Sequence, residues 1–172
     1  MTTFKEFLNE AVLREATDLI DIMQDMLNDF AERYDLQVYS RVDFKRNEYE
    51  FDFDFGDGNV LSKMSDSDDE DDPVAAKLRA RSGKIKEQLD KKINQSIEVS
   101  IEVIQKLRNQ RAGLTKVMLM RPHTKQDDGE YSGGFNKNIP INRPVTKEDF
   151  SDLKENTEKL GQYSVVLKFE ML

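Results

Sequence analysis

Glu48-Tyr49-Glu50-Phe51-Asp52-Phe53-Asp54-Phe55 alternates carboxylate and aromatic side chains without a fault. Strict period two marks a β-strand with one packed and one polar face. Aromatic residues favour the packed face, so Tyr49, Phe51, Phe53 and Phe55 are assigned to a core. Glu48, Glu50, Asp52 and Asp54 then face water. The preceding run, Leu36 to Phe44, also alternates, and Lys45-Arg46-Asn47 links the two as a hairpin.

Before this hairpin, residues 3–34 read as one long amphipathic helix. Phe4, Phe7, Leu8, Ala11, Val12, Leu19, Ile20, Ile22, Met23, Met26, Leu27, Phe30 and Tyr34 recur at helical spacing. Such a helix spans roughly 45 Å, more than a small domain is wide, and predicts an overhanging first turn. After the hairpin, Gly56-Asp57-Gly58-Asn59 ends the strand, and Ser65 to Asp72 is an acidic, low-complexity run expected to form a loop. Asp72-Pro73 then starts a long helix that carries Leu78, Ile85, Leu89, Ile93, Ile97, Ile101, Ile104 and Leu107. Ser82-Gly83 is expected to break it.

Residues 114–120 read as a buried strand. Residues 121–145, with Pro122, Pro140, Pro144 and three glycines, read as a long irregular connection. Thr146 caps a helix expected to reach Leu160, and residues 162–171 form a last strand. The fold class is therefore α+β. The expected architecture is a four-stranded, mainly antiparallel sheet packed against a long N-terminal helix, a long central helix and a short C-terminal helix. Residues 11–172 form one domain, with loops near 62–72 and 122–145.

Composition narrows the function. Of 172 residues, 35% are charged and 37% hydrophobic, and no apolar run approaches the ~20 residues of a membrane span. This predicts no membrane partner. With no cysteine, disulfides and thiolate zinc sites are excluded. A net charge of −8 disfavours binding to a phosphate backbone.

Candidate chemistry is sparse. His123, the single histidine, lies in a polar loop and reads as exposed rather than as a general base. No nucleophile motif is present. Gly56-Asp57-Gly58 and Gly133-Gly134 read as turns rather than phosphate cradles. The run Asp66 to Asp72 lacks the ordered ligands of a calcium loop. The expectation is a non-enzyme without metal or cofactor.

Two charged constellations stand out. Glu48, Glu50, Asp52 and Asp54 repeat about every 6.8 Å along a strand, a spacing comparable with that of phosphates, so the row is a candidate partner-binding surface imitating nucleic acid. Lys77, Arg79, Arg81, Lys84, Lys86, Lys91 and Lys92 form a basic stretch directly after the acidic run.

The N-terminus carries the clearest clue to origin: Phe4-Lys5-Glu6-Phe7-Leu8-Asn9-Glu10-Ala11. This short amphipathic opening, with Leu-x-Glu followed by a small residue, resembles the removable capsid-targeting peptide of internal head proteins in T-even-like tailed phages. The resemblance covers residues 1–10 and their junction with Ala11. It implies that Phe4, Phe7 and Leu8 contact prohead components, and that a prohead protease reads Leu8 and Glu10 and cuts before Ala11. It further implies a virion protein of the capsid interior, delivered to the host cytoplasm, where it acts on a host protein. The helical spacing also runs on into Val12, Leu19 and Met23. It therefore equally suits a structural helix used for self-association in a head, neck or tail component.

Overall fold

A computed structural model describes residues 4–55, 73–109, 113–121, 124–125, 131–132, 135–155 and 162–169. The chain order is α1 (Phe4–Tyr34), β1 (Gln37–Asp43), β2 (Glu48–Asp54), α2 (Pro73–Asn109), β3 (Leu114–Arg121), β4 (Thr124–Lys125), β5 (Tyr131–Ser132), β6 (Phe135–Ile139), a 3-10 turn (Lys147–Phe150), α3 (Ser151–Glu155) and β7 (Gln162–Phe169). The α+β class is as the sequence implies.

The sheet has five strands rather than four, in the order β1-β2-β7-β3-β6, and every pairing is antiparallel. The added strand, β6, lies in the stretch expected to be irregular, as does the two-stranded β4–β5 ribbon. Two hairpin-like pairs, β1–β2 and β3–β6, are joined by β7, which follows both in the chain yet sits between them.

Both long helices cover the same face. Met23, Leu27 and Phe30 of α1 and Ile93, Ile97, Val103, Ile104 and Leu107 of α2 share one core with Tyr49, Phe51, Phe53, Val117, Leu119, Tyr163, Val165 and Leu167. Phe150 and Leu153 of the 3-10 turn and α3 close one side of that core. The C-terminal helix is described as a 3-10 turn, Lys147–Phe150, followed by α-helix over Ser151–Glu155; the expected continuation to Leu160 lies outside the described residues. The central helix is also continuous through Ser82-Gly83. Gly83 is exposed and a Cβ there would meet nothing within 4 Å, so no packing demand interrupts the helix. The local cost of a helical glycine, about 1 kcal/mol, is left to the flanking turns to absorb.

Three contacts fix how the helices lie. Gln24 accepts hydrogen bonds from Ser40, midway along β1, and, at 3.1 Å, from Tyr49 Oη near the start of β2. At its C-terminal end α1 stops: Asp35 takes a left-handed conformation (φ 52°), Leu36 N–H donates to Ala31 O at 2.9 Å, and Lys92 Nζ donates to Asp35 O at 2.9 Å. Farther up α2, Gln105 donates to Val145 O at 3.4 Å. Lys92 thus ties α2 to the C-terminal end of α1.

At 1.5 Å per residue, α1 (31 residues) and α2 (37 residues) extend roughly 46 and 55 Å, whereas seven-residue β2 spans only about 23 Å. Among the residues whose burial is described, α1 packs on the core from Leu19 onward and α2 from Leu89 onward. Arg81, Lys84, Glu87 and Gln88, just before that stretch of α2, are exposed.

Candidate functional site

The carboxylate row on β2 lies on the sheet face away from the helices, because its neighbours in sequence, Tyr49, Phe51 and Phe53, occupy the core. Register then sets its partners. Arg41 stands opposite Glu50 on one side, and Lys168 stands opposite Glu48 on the other. Both pairs form ion pairs. The Glu50 and Glu48 side chains keep only 13% and 18% exposure. The expected water-facing row of free charge is corrected accordingly: two of the four carboxylates are half-buried and neutralised across strands. The reason is the antiparallel register, which brings a cation from each neighbouring strand onto the same face.

Asp52 is more confined. It lies between Tyr39 on β1 and Ser164 on β7, and Ser164 is itself buried. Burial pushes the Asp52 carboxyl above its usual range, a shift that a hydrogen bond from Ser164 partly opposes. Among the described residues, Asp52 Oδ1 is buried without a hydrogen-bond partner. Asp54 faces Gln37 and Gln162 at the end of the strand. On the same face Val166 of β7, buried, stands opposite Glu50, and Met118 and Met120 of β3, half-buried, stand opposite Val166 and Ser164.

At the β1–β2 turn, Asp43 Oδ1 accepts from Lys45 N at 3.0 Å and Arg46 N at 3.2 Å, and Asn47 closes the turn at φ 53°. Arg41, Asp43, Phe44, Lys45, Arg46, Glu48 and Glu50 line a cleft of about 510 Å³ there. Its charges are largely paired within it, Arg41 with Glu50 and Arg46 with Asp43 at 3.7 Å. Phe44 projects into solvent, 57% exposed.

Phe4, Phe7, Leu8, Glu10 and Ala11 lie on helical backbone in the first turns of α1, and the expected cut between Glu10 and Ala11 falls within that helix. Their side chains lie outside the described set, but their positions on the helix are fixed by its 100° turn per residue. Phe4, Phe7, Leu8 and Ala11 centre on the azimuth of Ile22, which is 41% exposed. That azimuth is roughly a third of a turn from the centre of Met23, Leu27 and Phe30, the residues α1 buries. The N-terminal apolar cluster and the core stripe are therefore two faces of one helix.

His123 and the run Asp66 to Asp72 lie outside the described residues. Among the described residues no group of three or more His, Asp or Glu is placed to hold a metal ion. No helix among them is long and apolar enough to cross a membrane. The basic stretch lies along α2, with Arg81, Lys84 and Lys91 exposed and Lys92 tied to Asp35.

Two polar constellations were not anticipated. Arg143 binds Asp149 in bidentate fashion, at 3.0 and 2.5 Å, while Thr146 N donates to Asp149 Oδ2 at 2.9 Å. The Arg143 guanidinium holds the buried Asp149 carboxyl below its usual range. In the core, Tyr163 Oη donates to Ser96 Oγ at 2.8 Å, and Ser96 in turn donates to Ile93 O at 2.8 Å. Burial raises the Tyr163 phenol well above its ordinary value. The Thr146-x-x-Asp149 spacing announces the first arrangement as a cap; nothing local announces the second. Both are structural in character, since each is satisfied internally. No protein-family model, curated protein or solved structure matches the chain.

Proposed function

We propose that the chain is a phage-encoded, virion-associated protein that enters the head through its N-terminal peptide and acts by binding proteins. In this reading it is no enzyme and carries no cofactor. It resides in the capsid interior and then in the host cytoplasm, where it counters host defence or redirects a host component. The observation that supports the reading is the azimuth of Phe4, Phe7, Leu8 and Ala11. These positions share a helix with the core stripe but not its azimuth, and they precede Leu19, where the core-packed residues of α1 begin. A set of apolar positions off the core azimuth suits contact with prohead components, and a site in the first turns of a helix, where ends fray, suits access by a protease at Leu8 and Glu10.

The intact mass of the protein from purified mature particles tests this. The expected species begins at Ala11. A full-length chain in mature particles sinks the cleavage reading and favours a permanent structural or assembly role, which the two long helices also suit. The nucleic-acid-mimic reading of Glu48, Glu50, Asp52 and Asp54 is weakened by the pairing of Glu48 and Glu50 with cations.

A further inference from the structure

The two edge strands of the sheet are built differently. β6 stops at Pro140 and turns Lys137 toward the helix-covered face, opposite Leu119, where Asp152 holds it at 2.8 Å. A proline and an inward-pointing charge both blunt an edge against further pairing. β1 has neither. Gln37 to Asp43 pair with β2 without a register shift, and they include no proline or glycine. Among the described residues no strand pairs with the outer side of β1. Ser40, on the helix-covered face, is exposed, as are Gln37, Tyr39 and Arg41 on the other, so this edge is open from both faces. The large apolar side chains exposed among the described residues are Ile22, Tyr39 and Phe44, and the last two belong to β1 and the turn that follows it.

We infer that β1 pairs antiparallel with β1 of a second copy of the chain, joining the two sheets edge to edge. Ser40 is the middle residue of β1, so a pairing that uses the whole strand places the two-fold axis there. Gln37 then faces Asp43 of the other copy, Val38 faces Val42, and Tyr39 faces Arg41. Each pair is complementary: an amide donor with a carboxylate, two β-branched side chains, and an aromatic ring with a guanidinium. Val38 and Val42, half-buried on the helix-covered face, continue the core across the junction. Tyr39 and Arg41 meet on the opposite face, where Arg41 keeps its ion pair with Glu50. Other registers are worse. A slip of two residues one way sets Arg41 against Arg41, and the other way leaves Val42 and Asp43 of both copies unpaired. A slip of one residue sends the two helix layers to opposite sides of the joined sheet. Beside the axis α1 presents amides rather than charges: Gln24 accepts from Ser40 and donates to Asn28 at 3.1 Å. Such a contact is isologous and closes at two copies, which leaves neither β1 edge open.

The test uses the purified full chain and no phage component, so its outcome is independent of the packaging reading. In sedimentation velocity at about 100 µM the chain is expected to run as a dimer that dissociates on dilution, with no larger series. Because the chain has no cysteine, a single introduced thiol reports only on its own counterpart in the other copy. Directly opposed residues have Cα atoms about 4.5–5.5 Å apart, within reach of a disulfide, so Ser40→Cys oxidises to a covalent dimer. Gln37→Cys lies on the same edge, but its counterpart is about 20 Å along the strand, and it does not cross-link. Tyr39→Lys sets a cation against Arg41 of the other copy and weakens association about tenfold, with unchanged circular dichroism. A wild-type chain that stays monomeric at that concentration overturns the inference and leaves the edge to a strand of a different protein. So does Ser40→Cys cross-linking no faster than Gln37→Cys, or folded Tyr39→Lys associating as tightly as the wild type.

Discussion

Tyr49, Phe51 and Phe53 point from β2 into the helix-covered core and are sealed from solvent, at 1%, 0% and 0% exposure. One residue along, on the other face, Glu48 and Glu50 lie half-buried against Lys168 and Arg41. The first face is held by packing, which is dense and intolerant of voids. The second is held by charge pairing across strands, which contributes little per pair and is screened by salt. Asp52 belongs to the second face by position but has no cation opposite it, only Tyr39 and Ser164. The same strand therefore carries burial of two kinds, apolar on one face and charged on the other.

Four substitutions probe that contrast. Phe51→Ala removes a fully buried ring between Tyr49 and Phe53, with centroids 6.3 and 5.7 Å away, and is expected to cost about 4 kcal/mol in urea unfolding. Tyr163→Phe removes only the hydroxyl that donates to Ser96 on the same face, and should cost about 1 kcal/mol. If it costs as much as the ring deletion, the helix-covered face is held by its polar link rather than by packing.

On the opposite face the sign reverses. Asp52→Thr removes a buried charge, keeps a hydroxyl for Ser164 and suits a strand, so it should stabilise by about 1 kcal/mol at pH 7. The gain depends on pH. Because the folded-state pKa of Asp52 is raised, the unfolded chain ionises there first. The wild type therefore loses stability as pH rises from near 3.8 through the raised value. The advantage of Asp52→Thr shrinks as pH falls through that window, and a gain unchanged at low pH would show that ionisation is not its source. The smallest effect is that of Arg41→Ala, whose guanidinium is 74% exposed. A loss of about 0.5 kcal/mol or less is expected, fading in 1 M NaCl.

The regular parts of the fold were legible because their periodicity is carried by many residues. The alternation of β2, the spacing along α1 and the Tyr163-Val165-Leu167 face of β7 each predict the element observed. β6 was not legible because its sequence, Phe135-Asn136-Lys137-Asn138-Ile139, has little strand character. Asn136 and Asn138 are exposed on the outer face of an edge strand, and Lys137 is held by Asp152 at 2.8 Å. Its pairing with β3 supplies the order that its side chains do not signal. The continuity of α2 through Gly83 was lost to a local rule that the length of the helix overrides. At the candidate site, the carboxylates were visible but their neutralisation was not. Arg41 could be placed opposite Glu50 from the hairpin alone, whereas Lys168 is more than a hundred residues away from Glu48 and meets it only through the sheet order. The rotation of the N-terminal apolar cluster away from the core stripe required knowing which residues α1 buries.

The central position of β7 also bears on synthesis at the ribosome. β2 and β3 are both translated before the strand that separates them in the sheet. Until residues 162–169 clear the exit tunnel, the nascent chain holds two half-sheets, each with an inner edge of unpaired amides and the aromatic row of β2 without its neighbour. Such edges pair readily with other chains, so crowded polysomes and slow synthesis of β7 are conditions that expose this protein to aggregation.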